Sequence, residues 1–414
     1  METSPSFSLE TFWDAYARLA VETGINLDPG RAVLISTGWE TYEFARRVAR
    51  EAYRRGAALV KIDVRDETLT ADRIAFSPSE FWTLNPPGLE SEYSGYAEDA
   101  WARIAIEDLG ASMALEGVDA EALRILRQSK NALLRPYQAA QMADRFPWVV
   151  IAAPSPTWVK KLGLKNEVEL AHLLTPLLLL DSPDPSRAWE KKMNKIEARC
   201  RTLNAHGLQK LHFKGPGTDL EIGLRPEHRW TGGASLFKGR PFLCNIPTEE
   251  VFTSPDAGAT QGRVSLTKPV AILGAQVHGG WLVFQNGKVT DCGAEKNAKN
   301  LERYLEVDEG AKSLGEVALV DEDSPIAKSG RLFGSSLYDE NAACHIALGA
   351  AYPICYADPE ALISDEDKKA RGCNLSSVHT DVMIGSNRLD VVGIDAQGNE
   401  VKILSQGHFV GDFR

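Results

Sequence analysis

Cysteine is scarce in this sequence. Six cysteines occur among 414 residues, and no two of them form a C-x-x-C pair. A set this sparse excludes the disulfide framework of a small secreted domain, and it is typical of proteins from a reducing compartment. The cysteine content therefore predicts a cytoplasmic location.

Long apolar runs and an excess of positive charge are also missing. No run of 18 apolar residues occurs, and the longest apolar stretch, residues 173–180, is interrupted by Pro176. The acidic N-terminal segment does not match a signal peptide. Lysine and arginine total 46 against 57 acidic residues, which gives a net charge of -11. We therefore expect neither a membrane nor a nucleic acid as partner.

Common local motifs of enzymes are absent as well. The sequence has no H-E-x-x-H zinc motif, no G-x-x-x-x-G-K-[ST] phosphate loop and no G-x-S-x-G nucleophile turn. Gly215-Pro216-Gly217 lacks the third glycine and the following helix of a dinucleotide-binding fingerprint. No nucleotide cofactor is therefore predicted.

The first part of the chain alternates between strand and helix patterns. Residues 32–37 form a short apolar run, and residues 58–64 form a second one. Between them, residues 44–56 predict an amphipathic helix that ends at Gly56, with an apolar stripe of Phe44, Val48, Ala52 and Tyr53. A strand, a helix and a strand this close together indicate a βαβ unit and hence a parallel sheet. Residues 111–117 and 148–154 are two further candidates for buried strands of the same sheet.

The second part has a different pattern. A long helix that ends at Gly207 precedes many short alternating runs, and turn sequences such as Asn286-Gly287 mark hairpins between them. This pattern is typical of antiparallel sheet, interrupted by one predicted helix over residues 339–352. We expect two domains. They are an α/β N-terminal domain with a parallel sheet at residues 1–185, and an α+β C-terminal catalytic domain with mainly antiparallel sheet at residues 186–414.

Potential metal ligands are spread through the second part. His379 and Asp381 are two residues apart on a predicted strand, so both side chains project from the same side. His345 and Tyr352 are seven residues apart on the predicted helix, about two turns, which puts them on one face. Candidate acids are Glu249, Glu250, Glu316 and Glu340. Histidine and carboxylate ligands without cysteine suit a borderline or hard divalent cation.

Each of these residues also has an ordinary structural explanation. A single histidine such as His345 is more often a hydrogen-bonded core residue than a ligand, Glu316 fits an edge strand, and Tyr352 fits simple packing. We do not expect Cys344 to be a nucleophile activated by His345, because adjacent helical residues point about 100 degrees apart. Residue patterns alone therefore leave a metal site as one of two open interpretations.

Four longer strings carry a more specific signal. They are NIPTEEVFTSPD (residues 245–256), DEGAKSLGEVALV (308–320), SPIAKSGRLFGSSLYDENAACHIALGAAY (324–352) and VHTDVMIGS (378–386). In order and spacing they resemble the motifs of the aminopeptidase T and aminopeptidase S family of metallopeptidases. The length of the chain and its α/β first part are compatible with that family.

The resemblance implies a fold and a cofactor. Members of the family hold two divalent metal ions on a C-terminal domain that follows an α/β domain, and they form homodimers. For this chain the resemblance implies a homodimer with metal ligands at Glu250, Glu316, His345, His379 and Asp381. It also puts Tyr352 beside the metals and makes Glu340 a ligand or a general base. Whether Glu249 or Glu250 faces the metals stays open, because adjacent residues of a strand face opposite sides.

This set of residues suits peptide hydrolysis. Two cations about 3.5 to 4 Å apart need a bridging carboxylate, for which we choose Glu316, and together they lower the pKa of a water and polarise the scissile carbonyl. Tyr352 would donate to the oxyanion, while Glu340 or Glu249 would carry the proton to the leaving amine. The predicted substrates are peptides with a free N-terminus, and the predicted ions are zinc, cobalt, manganese or magnesium.

Two other functions stay open. His345, His379 and Asp381 by themselves match the two-histidine, one-carboxylate set of non-haem iron oxygenases, and ring-cleaving dihydroxypyridine dioxygenases resemble this chain in fold. That chemistry does not need Glu250 and Glu316 as ligands of a second metal, so their presence favours the hydrolase. The other alternative is a non-catalytic metal-binding relative, against which the complete ligand set argues.

Overall fold

Two compact units make up the chain. The computed structural model describes residues 7–362 and 364–414. The first unit comprises Met1–Glu190 and Ala234–Pro247, and the second comprises Lys191–Gly233 and Thr248–Arg414. The predicted boundary after residue 185 stays a prediction.

A parallel sheet forms the centre of the first unit. Its strands are β1 (Ala32–Gly38), β2 (Leu59–Arg65), β3 (Ala102–Ile106) and β4 (Trp148–Ile151), in the order β2-β1-β3-β4. All neighbouring strands run parallel. β1 lies inside the sheet and is buried along nearly its whole length, which explains its apolar sequence. The parallel sheet and the βαβ unit predicted from the sequence are confirmed.

Helices occur in both units. They are α1 (Leu9–Leu19), α2 (Tyr42–Arg54), α3 (Glu67–Phe76), α4 (Leu89–Glu98), α5 (Ala111–Ala114), α6 (Ala120–Met142), α7 (Pro156–Lys161), α8 (Glu167–Leu177), α9 (Pro185–Ala205), α10 (Ala298–Leu305), α11 (Pro325–Ser329), α12 (Ser336–Asp339) and α13 (Asp365–Ala370). In α2 the predicted apolar stripe of Phe44, Val48, Ala52 and Tyr53 is buried at its first three members, whereas Tyr53 is 51% exposed. Gly56, with a φ of 89°, follows that helix as the predicted terminating glycine.

The predicted strand over residues 111–117 is wrong. Ala111–Ala114 is a short helix, and the strand beside β1 is Ala102–Ile106. The sequence pattern missed this strand because it contains a charged residue, Arg103. Its guanidinium donates to Gln141 and lies 5.9 Å from the centre of the Tyr137 ring, so the charge is accommodated against the face of the sheet.

Antiparallel sheets form most of the second unit. The remaining strands are β5 (Leu208–Gly215), β6 (Thr218–Gly223), β7 (Ser235–Phe237), β8 (Arg240–Phe242), β9 (Val251–Thr253), β10 (Thr260–Ser265), β11 (Val270–Ile272), β12 (Ala275–Val277), β13 (Trp281–Gln285), β14 (Lys288–Gly293), β15 (Leu314–Leu319), β16 (His345–Gly349), β17 (His379–Met383), β18 (Asp390–Asp395), β19 (Glu400–Ser405) and β20 (His408–Phe409). The hairpin of β7 and β8 belongs to the first unit.

Two of these sheets define the second unit. The larger has the order β14-β13-β10-β6-β5-β18-β19-β20, and the smaller has the order β17-β16-β15-β9. Neighbouring strands in the smaller sheet are antiparallel. The fold class predicted from the sequence, an α/β unit followed by an α+β unit with mainly antiparallel sheet, is confirmed.

The predicted helix over residues 339–352 is also wrong. Helix α12 ends at Asp339, one 3₁₀ turn covers Glu340–Ala342, and the chain becomes extended at Ala343, with φ -170° and ψ 165°. Strand β16 follows and pairs on both sides. Every residue of β16 is buried, and a fully buried strand gives the same unbroken apolar run as a buried helix.

Helices long and apolar enough to cross a membrane were not found in the described part of the chain.

Candidate metal centre

The smaller sheet brings most of the predicted ligands to one face. Glu316 on β15 pairs with Ala347 on β16, which pairs in turn with Asp381 on β17. Residues paired across neighbouring strands project to the same side, and so do residues two apart on one strand. His345 on β16 and His379 on β17 therefore share this face. Glu250 directly precedes β9, at the edge of the same sheet.

The Glu316 carboxylate lies between the two imidazoles. Its Oε1 atom is 3.8 Å from Nε2 of His345, and its Oε2 atom is 3.3 Å from Nε2 of His379. His379 Nε2 is also 3.4 Å from Oδ1 of Asp381. Glu250, Glu316 and His345 form one group of potential ligands, and Glu316, His379 and Asp381 form another. Glu316 is the member that both groups share.

Glu250 is buried beside His345. Its Oε2 atom lies 3.2 Å from His345 Nε2, yet it receives no well-directed hydrogen bond from residues 7–362 or 364–414. Leaving a carboxylate oxygen in this state inside a protein is unfavourable. A cation at this position would satisfy it.

Both imidazoles are oriented through their other ring nitrogen. Nδ1 of His379 is 2.7 Å from the carbonyl oxygen of Ala350, and Nδ1 of His345 is 3.3 Å from that of Ala343. An Nδ1–H that donates to a carbonyl leaves the Nε2 lone pair free to ligate a metal. Both Nε2 atoms face the carboxylates.

The carboxylates control the charge on the imidazoles. Burial by itself lowers the pKa of His379, but its contacts with Asp381 and Glu316 raise that pKa to about 10. Burial also lowers the pKa of His345, but its contacts with Glu250 and Glu316 raise that pKa well above the ordinary value. The cluster thus attracts positive charge, which divalent cations would supply in place of these protons.

Tyr352 lies against His379. Its hydroxyl is 3.3 Å from His379 Nε2, and the two ring centres are 4.7 Å apart. Burial, followed by the nearby carboxylates of which Glu316 is the strongest, raises the pKa of Tyr352. The phenol therefore keeps its proton and can act as a hydrogen-bond donor.

Glu340 lies on the 3₁₀ turn before β16. Burial and then the charges of Glu250, Asp381 and Glu316 raise its pKa well above the ordinary value, while His345 opposes that rise. Its Oε1 atom is 3.5 Å from the side-chain amide of Asn341. Glu340 therefore belongs to the electrostatic surroundings of the cluster and is a carboxyl group suited to hold a proton.

The structure does not bring Glu249 into the cluster. Its carboxylate forms an ion pair with Lys192 on α9, while the carboxylate of Glu250 faces His345. Burial raises the pKa of Glu249, and Lys192 opposes the increase. The predicted role of Glu249 in proton transfer stays a prediction.

Asn341 and two backbone carbonyls were missed as parts of the site. Asn341 lies in the string of residues 324–352, but the sequence predicted no role for it. The carbonyls of Ala343 and Ala350 orient the imidazoles, and a backbone carbonyl has no signature in a sequence. The one signal that could have indicated Asn341 is its place in the sequence, directly after the acids Asp339 and Glu340.

A third group of potential ligands lies elsewhere in the second unit. It consists of Asp321, Asp323 and His408. Arg199 lies 3.4 Å from Asp321, and Lys328 lies 2.9 Å from Asp323. Because cations of the protein already compensate both acids, this group is a weaker candidate than the cluster around Glu316.

Gly349 permits the close approach that positions His379. It pairs with His379 at the end of β16, its φ is 110°, and a Cβ atom there would lie 2.0 Å from the Val378 carbonyl oxygen. We expect Gly349→Ala to lower the free energy of unfolding by about 2 kcal/mol or more, measured by chemical denaturation.

A matched control separates the steric clash from the backbone strain. Gly398 also has a positive φ, 84°, and a Cβ atom there would meet open space. Gly398→Ala should therefore cost only the strain, about 1 kcal/mol. Equal losses in the two variants would contradict the close packing at Gly349.

Comparisons with known proteins identify the family of this chain. Residues 10–409 match the family described as thermophilic metalloprotease (M29). Aminopeptidase T of Thermus aquaticus is 36% identical over 400 residues, which cover 95% of this chain and 97% of that protein. The structure of wild-type AmpT from Thermus thermophilus has a TM-score of 0.87 at 36% identity, and it covers 98% of this chain and 100% of that one.

A more distant structure shares the fold alone. The 2,5-dihydroxypyridine dioxygenase from Pseudomonas putida KT2440 has a TM-score of 0.56 at 11% identity, over 99% of this chain and all of that one. The matches along nearly the whole chain place it among the metallopeptidases. The chain belongs to the thermophilic metalloprotease (M29) family, and the family resemblance inferred from the four sequence strings is confirmed.

Proposed function

We propose that this protein is a metal-dependent aminopeptidase that uses two divalent cations. The observation that carries the proposal is the position of Glu316, whose two carboxylate oxygens face two different imidazoles. A carboxylate shared between two ligand groups is the arrangement that a pair of metal ions requires. The relatives described above, which include aminopeptidase T, support the choice of reaction.

The ligand groups divide into two ion sites. Glu250 and His345 would hold one ion, His379 and Asp381 would hold the other, and Glu316 would bridge them. When bound, such ions act as Lewis acids that lower the pKa of a water and polarise a carbonyl. Oxygen and imidazole ligands suit zinc, cobalt, manganese or magnesium.

Two further side chains would act on the substrate. The protonated Tyr352 hydroxyl would donate to the oxygen that becomes negative as the peptide carbonyl is attacked. Glu340, with its raised pKa, would take up a proton from the attacking water and return it to the leaving amine. The free amine of the substrate would select the first residue, because its charge is attracted by the carboxylates. A homodimer and a cytoplasmic location remain predictions.

The iron dioxygenase is the weaker alternative. The distant structural neighbour supports a shared fold and no more. In a mononuclear site built from His345, His379 and Asp381, the buried Glu250 carboxylate beside His345 would have no metal ion to bind. The hydrolase uses this residue, and the dioxygenase does not.

The test combines metal content with cleavage of matched peptides. Elemental analysis of the purified protein should find two divalent ions per chain. A short peptide with a free N-terminus should lose its first residue. The same peptide N-acetylated should be cleaved at least about 100-fold more slowly, because acetylation removes the charge and the lone pair of the amine. Chelation should abolish the activity, and added divalent ion should restore it.

Three outcomes would contradict the proposal. Equal cleavage of the free and acetylated peptides would indicate an endopeptidase or amidohydrolase. One bound iron with oxygen uptake on a hydroxylated pyridine would indicate the dioxygenase. A protein that binds ions but hydrolyses no peptide would support the non-catalytic alternative.

A further inference from the structure

Glu249 and Glu250 are neighbours whose side chains have different surroundings. The Glu250 carboxylate is next to His345, and the Glu249 carboxylate is next to Lys192 on α9. Both side chains are only 9% exposed. A rotation of the backbone at residues 249–250 would move Glu250 away from the cluster and Glu249 out of its ion pair.

The Lys192 ion pair holds the side chain of Glu249. The Lys192 side chain is 16% exposed, so little water competes for either charge. A buried pair contributes little net stability, yet removing one partner is unfavourable because the other charge stays behind without compensation. The main effect of the ion pair is therefore to fix the position of the Glu249 side chain, and its net contribution to the stability of the fold is small.

Asn341 holds the backbone of the same residue. Its Oδ1 atom accepts a hydrogen bond of 2.7 Å from the Glu249 amide, and its Nδ2 atom donates to the carbonyl oxygen of Leu337 at 2.9 Å. Asn341 is completely buried. Glu249 is thus fixed at its side chain by α9 and at its amide by the turn that carries Glu340.

We propose that Lys192 is a positioning residue: by pairing with Glu249 from α9, it fixes the adjacent Glu250 in the orientation that ligates metal. This inference rests on the proposed function. It gives the Glu249 carboxylate an anchoring role and does not require it to touch substrate or metal. Partners that orient a metal ligand typically change metal affinity by 10- to 100-fold when they are lost.

The test measures metal affinity separately from stability and turnover. Lys192→Met should raise the zinc dissociation constant, measured by competition with a chromogenic chelator, by about 10- to 100-fold. At saturating zinc, the kcat of Lys192→Met should be reduced much less than its zinc affinity is. Lys192→Arg keeps a cation opposite Glu249 and should retain most of the affinity.

Controls make the result specific to the pair. Lys191 is an exposed lysine one position earlier on the same helix, and Lys191→Met should leave the zinc dissociation constant unchanged. If Lys192→Met does not fold, Glu249→Gln removes the charge from the other partner at nearly constant size, and it should weaken zinc binding in the same range.

The outcomes distinguish this inference from the proposed function. A Lys192→Met or Glu249→Gln variant with reduced melting temperature but wild-type zinc affinity would overturn the inference and leave the aminopeptidase proposal intact. A wild-type protein that binds no divalent ion would overturn both.

Discussion

Glu316→Gln should lose both metal ions and nearly all peptidase activity. The substitution keeps the size of the side chain but removes the charge of the carboxylate that lies between His345 and His379. Two cations held close together need that negative charge to offset their repulsion. Because Lewis acids contribute several kcal/mol to such reactions, kcat/KM should fall by at least about 10³-fold. Elemental analysis and peptide cleavage measure the two effects.

An exposed carboxylate provides the control for this variant. Glu309 lies on the 3₁₀ turn that precedes β15, and its side chain is 77% exposed. Glu309→Gln should retain both ions and normal turnover. If Glu316→Gln also kept two tightly bound ions and near-normal turnover, the bridging role would be assigned to the wrong residue.

Tyr352→Phe should lower kcat by about 10²- to 10³-fold while the metal content stays the same. The variant keeps the ring that packs on His379 and removes only the hydroxyl. The loss of one hydrogen-bond donor to an oxyanion has an effect of this size. Because the donor acts on the transition state, KM should change little. Steady-state kinetics on a free-amine peptide, with parallel metal analysis, separates the two quantities.

A second buried tyrosine tests whether the effect is local. Tyr356 is 2% exposed and packs with Cys355 and Leu362. Tyr356→Phe should leave kcat close to the wild-type value. Loss of an ion in Tyr352→Phe would make the phenol a ligand, and unchanged kcat would exclude it from catalysis.

The sequence predicted the kind of site better than it predicted the local structure around it. His379 and Asp381 were expected on one side of a strand, and β17 has this geometry. His345 and Tyr352 were expected on one helix face, and that helix is wrong: β16 carries His345, whereas Tyr352 lies beyond its end and contacts His379. An apolar run buried on both faces does not distinguish a strand from a helix.

Other features depend on contacts between distant residues. The different surroundings of Glu249 and Glu250 depend on contacts with His345 and with Lys192, which is 57 residues from Glu249 in the sequence. Strand β3 was missed because the charge of Arg103 is accommodated by Gln141 and Tyr137 on α6. No local pattern contains these partners, so tertiary structure was needed to identify them.

The proposed ligands come from four strand regions that are separate in sequence, at Glu250, Glu316, His345 and His379. An unfolded chain cannot hold these groups together, so ions that bind them bind the folded form almost exclusively. Binding of this kind is thermodynamically linked to folding. An ion whose free concentration is 100 times its dissociation constant adds about 2.7 kcal/mol to the stability of the native state. The supply of metal in the cell would then influence how much of the chain is folded as well as how much is active.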